Sequence, residues 1–195
     1  DPLGRVTRMT YDGYGNVLTI TDAKGGITRL AYDTVNQLHL GRSNRIRLTD
    51  ARGNVTTSTY NALDRLTQVT DAAGKIAKFS YDQQGNLMSR VDAQTRTTAY
   101  LYDQLNRLIK VTYPDTTVVS YTLDPVGNLT AVGDSTGTMT STYDAMNRLW
   151  RKVYPDATTL DSAYDANGNR ISLSVTGIGA MTYAYDAANR LTTLT

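Results

Sequence analysis

The sequence predicts an all-β protein, in which tandem antiparallel β-hairpins of about 21 residues form a coiled, shell-like extended sheet. A heptad such as YDAMNRL, at residues 143–149, recurs along the whole chain at an almost constant spacing. Each copy combines residues that favour tight turns, and the short segments between the turns alternate in polarity as strands do. The segments between turns are too short for a helix of ordinary length.

The repeat is the strongest signal in the sequence. Nine copies of the heptad start at positions 11, 32, 60, 81, 102, 123, 143, 164 and 185, which gives steps of 21 residues apart from one of 28 and one of 20. A fixed period of this length indicates an array of supersecondary units. Residues 1–195 are therefore predicted to form a single repeat array. Because the sequence opens and closes at the same phase of the repeat, we expect it to be a segment of a longer protein.

Each heptad has the composition of a hairpin loop. An Asp follows the leading aromatic residue, and three positions later stands a Gly, Asn or Asp, residues that tolerate a left-handed backbone. This arrangement predicts a type I turn closed by a bulge, between two antiparallel strands. The predicted structural positions are Tyr11, Asp12, Gly15, Tyr32, Asp33, Asn36, Tyr60, Asp64, Tyr81, Asp82, Gly85, Tyr102, Asp103, Asn106, Asp124, Gly127, Tyr143, Asp144, Asn147, Tyr164, Asp165, Gly168, Tyr185, Asp186 and Asn189.

A second turn lies between successive heptads, written DAKG at Asp22 and YPD at Tyr113 and Tyr154. Two turns per repeat leave room for two strands of about five to seven residues. The residue two positions before the motif Tyr shares its face, and a bulge explains why the alternation is imperfect across the loop. About eighteen strands would be more than a flat open sheet carries, so we expect a sheet that coils, with one face lining a concavity.

Composition excludes several classes of function. A net charge of +2 is too small for a nucleic-acid-binding surface, and no apolar run approaches the ~20 residues that would insert into a membrane. The chain has no cysteine and one histidine, so it lacks the raw material for disulfides, thiol chemistry or a zinc site. No cofactor and no enzymatic activity are predicted.

Three features have a functional and a structural interpretation. The repeated Asp residues could bind Ca²⁺, but turn chemistry favours hydrogen bonds to their own loops. An extra seven residues, placed at about Gly41 to Arg47 beside His39, could form a basic loop that recruits an acidic ligand or presents a protease site, although a solvated bulge or strand extension is favoured. The Tyr residues could grip a sugar or an extended peptide, although packing along the sheet is favoured. Open end strands also make edge-to-edge self-association possible.

The motif resembles that of the YD-repeat or RHS-repeat family. The resemblance lies in the sequence Y-D-x-x-G/N-N/R-L/V, in the 21-residue step, and in the alternation of GN with NR endings from Tyr81 to Tyr185. Leu123 and Asn61 replace the expected Tyr and Asp, Arg170 replaces Leu, and consecutive NQ and DR endings at Tyr32 and Tyr60 break the alternation. The resemblance implies a hollow β-shell of the kind found in bacterial polymorphic toxins, insecticidal toxin complexes and teneurins.

The implied function is a non-enzymatic wall segment of a secreted or cell-surface protein. Its expected partners are other segments of the shell and an enclosed polypeptide, such as a C-terminal toxin domain. The alternative is an adhesin module that binds a carbohydrate or a cell-surface receptor. A carbohydrate-active β-solenoid enzyme is a third interpretation, and it requires a carboxylate pair in a groove. That pair is hard to find, because nearly every Asp is assigned to a turn.

Overall fold

The computed structural model describes residues 6–33 and 43–195. These residues form eighteen β-strands and no helix, which confirms the predicted all-β class. The strands are β1 Arg8–Tyr11, β2 Val17–Thr21, β3 Ile27–Tyr32, β4 Arg45–Thr49, β5 Val55–Tyr60, β6 Leu66–Thr70, β7 Ile76–Tyr81, β8 Leu87–Val91, β9 Thr97–Tyr102, β10 Leu108–Thr112, β11 Val118–Leu123, β12 Leu129–Asp134, β13 Gly137–Tyr143, β14 Leu149–Val153, β15 Thr159–Tyr164, β16 Arg170–Val175, β17 Gly179–Tyr185 and β18 Leu191–Leu194.

The chain divides into two compact units, Asp1–Thr98 and Ala99–Thr195. Strands β1 to β8 belong to the first unit and β10 to β18 to the second, and the boundary falls within β9. Within each unit every strand pairs antiparallel with its neighbours in sequence, as in the hairpins β5–β6 and β13–β14. Each repeat is therefore stabilised mainly by the repeats next to it, as in other quasi-linear arrays.

Two kinds of hairpin alternate along each unit. At the heptad loops the register skips one residue: Tyr60 lies opposite Leu66 while Thr59 lies opposite Gln68, so Thr67 is an extra residue on the second strand. The hairpins between heptads show no skip, as in β6–β7, where Gln68, Val69 and Thr70 pair in order with β7. The predicted bulge thus lies just beyond the loop, and it explains the broken alternation there.

The two faces of the sheet differ in chemistry. The face that carries the motif Tyr is more buried, and it holds Val111 and Ser141, the only buried residues among those described. The opposite face mixes exposed apolar side chains such as Leu101 with polar ones, including a 2.7 Å hydrogen bond between the Ser80 and Ser89 hydroxyls and an ion pair between Arg151 and Asp161. Burial is shallow on both faces, because the strands of each unit pack side by side with no second layer among the described residues.

The seven extra residues lie earlier in the chain than the spacing of the repeats predicts. Tyr32 pairs with Arg45, and Asn44 closes the hairpin by exchanging hydrogen bonds with Asp33. The extra residues therefore fall between Asp33 and Asn44, and Arg45 and Arg47 belong to the regular strand β4. The placement at about Gly41 to Arg47 was wrong because the spacing alone could not tell which Asn closes the loop. Asn36, His39, Gly41 and Arg42 lie outside the described residues.

Candidate functional site

The repeated feature with the most defined geometry is the row of heptad loops. In the first loop the Asp12 carboxylate organises the backbone: its Oδ1 accepts the N–H groups of Tyr14 and Asn16, each at 2.9 Å. Its Oδ2 accepts the side-chain amide of Asn16 at 2.8 Å. The Asp12 N–H donates to the Asn16 carbonyl, and the Gly15 N–H donates to the Asp12 carbonyl. One carboxylate thus accepts three hydrogen bonds from two residues, Tyr14 in the turn and Asn16 just after it.

Equivalent bonds occur in the other heptad loops, with Arg replacing Asn as the side-chain donor in some of them. The Asp103 carboxylate accepts the Leu105 and Arg107 N–H groups and pairs with the Arg107 Nε at 2.7 Å. Asn61 stands at the Asp position of its loop and keeps the two backbone bonds through its Oδ1. The loop geometry therefore needs the side-chain oxygen, and the negative charge adds the contact to Arg or Asn.

These bonds stabilise the ionised form of the loop carboxylates. The pKa of Asp12 lies below its ordinary value, chiefly because the Asn16 side chain donates to the carboxylate. The pKa of Asp103 is also lowered, chiefly by the Arg107 backbone N–H; desolvation opposes this shift, and the Arg107 side chain adds to it. Carboxylates already engaged by several donors have few lone pairs left for a cation.

The position before the Asn or Arg has a left-handed backbone. Among the described residues, φ lies between 59° and 101° at Gly15, Asp64, Gly85, Asn106, Gly127, Asn147, Gly168 and Asn189. Only Gly, Asn and Asp occur there, because other side chains are strained at positive φ.

The motif Tyr ties each repeat to the one before it. The Tyr164 hydroxyl donates to the Leu149 carbonyl at 2.8 Å, and Tyr143 donates to the Leu129 carbonyl at 3.0 Å. Three further hydroxyls make the same contact one repeat earlier in sequence: Tyr60 to Arg45, Tyr81 to Leu66 and Tyr185 to Arg170. The Tyr residues thus pack within the sheet and also hydrogen-bond across the repeat boundary.

Loops that end in Arg make a distinct contact with the next loop. Arg148 donates from its NH1 to the Asp165 carbonyl at 3.3 Å and covers the Tyr164 ring at 4.5 Å. Two other loop arginines reach the next Asp carbonyl in the same way: Arg65 to Asp82 and Arg107 to Asp124. In all three cases the next loop has Gly at its left-handed position.

At one of these three contacts, the left-handed position has no room for a side chain. A Cβ built on Gly85 would lie 2.6 Å from a terminal nitrogen of Arg65, too close for a side chain unless the guanidinium moved.

We call a loop with Gly at the left-handed position followed by Asn a GN loop, and one with Asn or Asp followed by Arg an NR loop.

GN loops contact the next loop through their Asn. Asn128 donates from its side-chain amide to the Asn147 side-chain oxygen at 2.9 Å, and Asn169 donates to Asn189 at 2.8 Å. Asn44, which is preceded by Ser43 and hydrogen-bonds to Asp33, likewise donates to the Asp64 carboxylate at 2.8 Å. The two kinds of contact alternate, which gives the alternation of GN and NR endings a physical cause.

The loops between heptads include positions that sequence analysis did not single out. Thr95, Thr116 and Ala157 have φ values of 63° to 69°, in the left-handed region that such residues adopt only with strain. Each donates its N–H back to the first residue of its loop, at Asp92, Tyr113 and Tyr154 respectively. Each lies three residues after the first residue of its loop, as the left-handed residue of a heptad lies three residues after its Asp. This shared spacing in the sequence could have identified them.

Residues with catalytic or metal-binding chemistry are not brought together in the part of the chain that is described. No three His, Asp or Glu side chains there are placed to hold a metal ion. Residues 6–33 and 43–195 also contain no helix long and apolar enough to cross a membrane. The carboxylates of the heptad loops are engaged by hydrogen bonds of the fold, as at Asp12 and Asp103.

Comparison with protein families gives two matches. The teneurin YD-shell model matches residues 4–126, and the RHS repeat model matches residues 164–195. No protein among the curated sequences matches the chain.

Comparison with solved structures shows where the same fold occurs. One is a Tc holotoxin pore of Photorhabdus luminescens with a mutation in TccC3, which is 18% identical with a TM-score of 0.69 over 96% of this chain. Another is TcdB2-TccC3 without its hypervariable C-terminal region, which is 16% identical with a TM-score of 0.66 over 96% of this chain. The chain spans 12% of the length of each.

Proposed function

The chain belongs to the teneurin YD-shell family, and from that premise we propose that it is a segment of shell wall that encloses another polypeptide. The observation that carries this proposal is the family match over residues 4–126, supported by a fold shared with Tc toxin structures over 96% of the chain. In this proposal residues 1–195 act as one array within a longer wall. The location of such a protein would be secreted or at the cell surface.

The structure of the repeats suits a wall. Each strand contacts its neighbours in sequence, so the length of a wall can grow by adding hairpins without a new core. The loop carboxylates, the motif hydroxyls and the loop arginines are engaged in contacts within and between repeats. A wall acts through exclusion and many weak contacts, and it needs no catalytic residue. We therefore propose that the segment is not an enzyme.

Electron cryomicroscopy of the complete gene product tests the proposal. We expect a hollow shell with residues 6–33 and 43–195 in its wall and with density for a polypeptide inside. A segment that had solvent on both faces of its sheet and no enclosed cavity would contradict the proposal. If the same protein bound specific sugars on a glycan array, and lost that binding when an exposed aromatic such as Tyr14 was replaced, the adhesin alternative would replace it.

A further inference from the structure

One heptad loop contains an asparagine followed by a glycine, the residue pair in which the asparagine side chain is least stable chemically. Asn167–Gly168 is the only such pair in the sequence, and it lies in the GN loop that begins at Asp165. We propose that Asn167 is a site of spontaneous modification, at which the folded chain loses ammonia and forms aspartate and isoaspartate. The proposal goes beyond the wall function and does not rest on it.

The reaction needs only the two residues and water. The backbone nitrogen of Gly168 gives up its proton, attacks the side-chain carbon Cγ of Asn167 and closes a five-membered succinimide ring. The side-chain nitrogen of Asn167 takes up a proton and leaves as ammonia. Water then breaks one of the two carbon–nitrogen bonds of the ring that involve the Gly168 nitrogen. Cleavage at Cγ leaves aspartate, and cleavage at the backbone carbonyl leaves isoaspartate, in which the chain runs through the side chain.

The Asn167 side chain is free to react. The residue is exposed, and its side-chain amide makes no hydrogen bond with any residue that the structure describes. Only its backbone N–H is engaged, by the Asp165 Oδ1 at 2.9 Å. Gly168 has no Cβ to crowd the attacking nitrogen, and its backbone is left-handed, with φ at 91°. The fold therefore leaves both reacting groups open to water and to each other.

One backbone hydrogen bond of the loop opposes the attack. The Gly168 N–H donates to the Asp165 carbonyl at 3.1 Å, and this bond must open before the nitrogen can turn toward Asn167. The equivalent bond measures 3.1 to 3.2 Å in the described GN loops and 2.9 to 3.0 Å in the described NR loops, so it is the longer kind that must open. Opening one exposed hydrogen bond slows the reaction by up to about ten-fold relative to an unfolded chain.

The structure distinguishes this site from the one Asp–Gly pair, which forms the same ring in flexible chains. Asp12–Gly13 lies in the first heptad loop, and its carboxylate accepts hydrogen bonds from Tyr14 and Asn16 at 2.8 to 2.9 Å. These bonds, chiefly that from the Asn16 side chain, lower the pKa of Asp12. An ionised carboxylate held in this way is a poor target for a nucleophile and cannot turn toward the Gly13 nitrogen. We therefore expect the fold to protect Asp12 and to leave Asn167 reactive.

Two other sites in the chain serve as internal controls. Gln84 and Gly85 occupy the corresponding positions of another GN loop, and Gly85 also has a left-handed backbone, with φ at 101°. The extra methylene of Gln84 requires a six-membered ring, which closes far more slowly. Asn147 is exposed as well, but it is followed by Arg148, whose side chain crowds the attacking nitrogen. Neither Gln84 nor Asn147 should be modified on the time scale of Asn167.

Isoaspartate at this position disturbs the contact between neighbouring loops. It adds one carbon to the backbone of a loop in which the Asp165 Oδ1 accepts the N–H groups of Asn167 and Asn169, at 2.9 and 2.8 Å. The Asp165 carbonyl also accepts the hydrogen bond from Arg148 of the preceding loop, at 3.3 Å. Both products place a second negative charge two residues from Asp165. The modification therefore weakens the β15–β16 hairpin and its contact with the preceding loop.

Peptide mapping by mass spectrometry of the purified, folded chain tests the proposal. The chain is kept in a mildly alkaline buffer at a temperature below its thermal transition and is then cut with trypsin, which releases residues 153–170 as one peptide. That peptide should gain the mass difference between a hydroxyl and an amino group, with fragment ions that place the change at Asn167. It should separate into two products, and a methyltransferase specific for isoaspartate should label one of them. The peptides that contain Gln84 and Asn147 should stay unchanged.

The same chain unfolded in urea supplies the reference rate. Asn167 of the folded chain should react within about ten-fold of that rate, because only one exposed hydrogen bond has to open. Protection of Asn167 beyond that factor would overturn the proposal, and so would modification of Gln84 or Asn147 at an equal rate. Asp12 should be protected by the fold more strongly than Asn167, and equal protection of the two would contradict the role given to the loop bonds.

Amide hydrogen exchange tests the effect on the fold. Exchange in β15 and β16 should be about ten-fold faster in the aged chain than in the fresh chain, the factor that corresponds to the loss of about one hydrogen bond. Asn167→Gln cannot close the five-membered ring, so its exchange should not change with age. Fresh Asn167→Asp carries the new charge without the longer backbone and separates the two causes. Equal exchange in aged and fresh chains that differ in isoaspartate content would overturn the claim that the modification weakens the hairpin.

Discussion

Removing the Tyr164 hydroxyl measures what one contact between repeats contributes to stability. Tyr164→Phe deletes the 2.8 Å hydrogen bond to the Leu149 carbonyl and keeps the ring over which Arg148 lies at 4.5 Å. A hydrogen bond of this kind contributes about 0.5–1.5 kcal/mol net. The site is only partly buried, so water can reach the freed carbonyl and hold the loss near about 1 kcal/mol.

A second variant and a control define the origin of that loss. Tyr164→Leu reproduces the residue found naturally at Leu123 and removes the ring as well, so the contact with Arg148 adds roughly 0.5–1 kcal/mol to the loss. Tyr113→Phe is the matched control: Tyr113 is 42% exposed, and its hydroxyl makes no hydrogen bond within the part of the chain that the structure describes.

Urea unfolding followed by circular dichroism gives the overall change, and amide hydrogen exchange shows where it occurs. We expect faster exchange in β14 and β15 of Tyr164→Phe and no local change in Tyr113→Phe. Equal stability of the two Tyr→Phe variants would refute the inference that the motif hydroxyls join neighbouring repeats.

Further predictions concern the loops. Acidification from about pH 5 to about pH 2 should progressively lower the urea midpoint, because loop carboxylates such as Asp103 have lowered pKa values and their contribution is lost as they protonate. Asp103→Asn should make this dependence slightly shallower, because it removes one of several such carboxylates, and a midpoint that rose in acid would contradict the assignment. Gly85→Ala should destabilise the protein more than Gly127→Ala. Both positions have φ near 100°, but only the Cβ added at Gly85 would lie 2.6 Å from the Arg65 guanidinium. Equal losses of stability would show that backbone strain alone matters. Calcium or a chelator should leave the melting temperature unchanged, because loop donors occupy the carboxylates, and a calcium-dependent shift would support the metal interpretation.

The sequence predicted the loops well because their geometry is local. Asp followed three residues later by Gly, Asn or Asp specifies the turn through bonds within five residues, as in the Asp12 loop. The position of the strands then follows from the spacing of the loops. The same reasoning misplaced the insertion after Tyr32, since a choice among several Asn residues depends on which one pairs across the sheet.

The contacts between repeats were not predicted because they depend on packing across the sheet. The alternation of GN and NR endings was visible in the sequence, but its cause requires Arg65 to lie against Gly85, twenty residues later. Likewise, the sequence showed that the motif Tyr shares a face with apolar residues. It could not show that the Tyr164 hydroxyl ends beside the Leu149 carbonyl.

Interstrand nuclear Overhauser effects test the central claim most directly, namely that each heptad is a loop whose bulge sets the register of neighbouring strands. Around the loop at Asp144 the structure predicts backbone contacts between Thr142 and Arg151 and between Tyr143 and Leu149, with Trp150 skipped. Continuous pairing through Trp150, or contacts of a parallel pair, would contradict it.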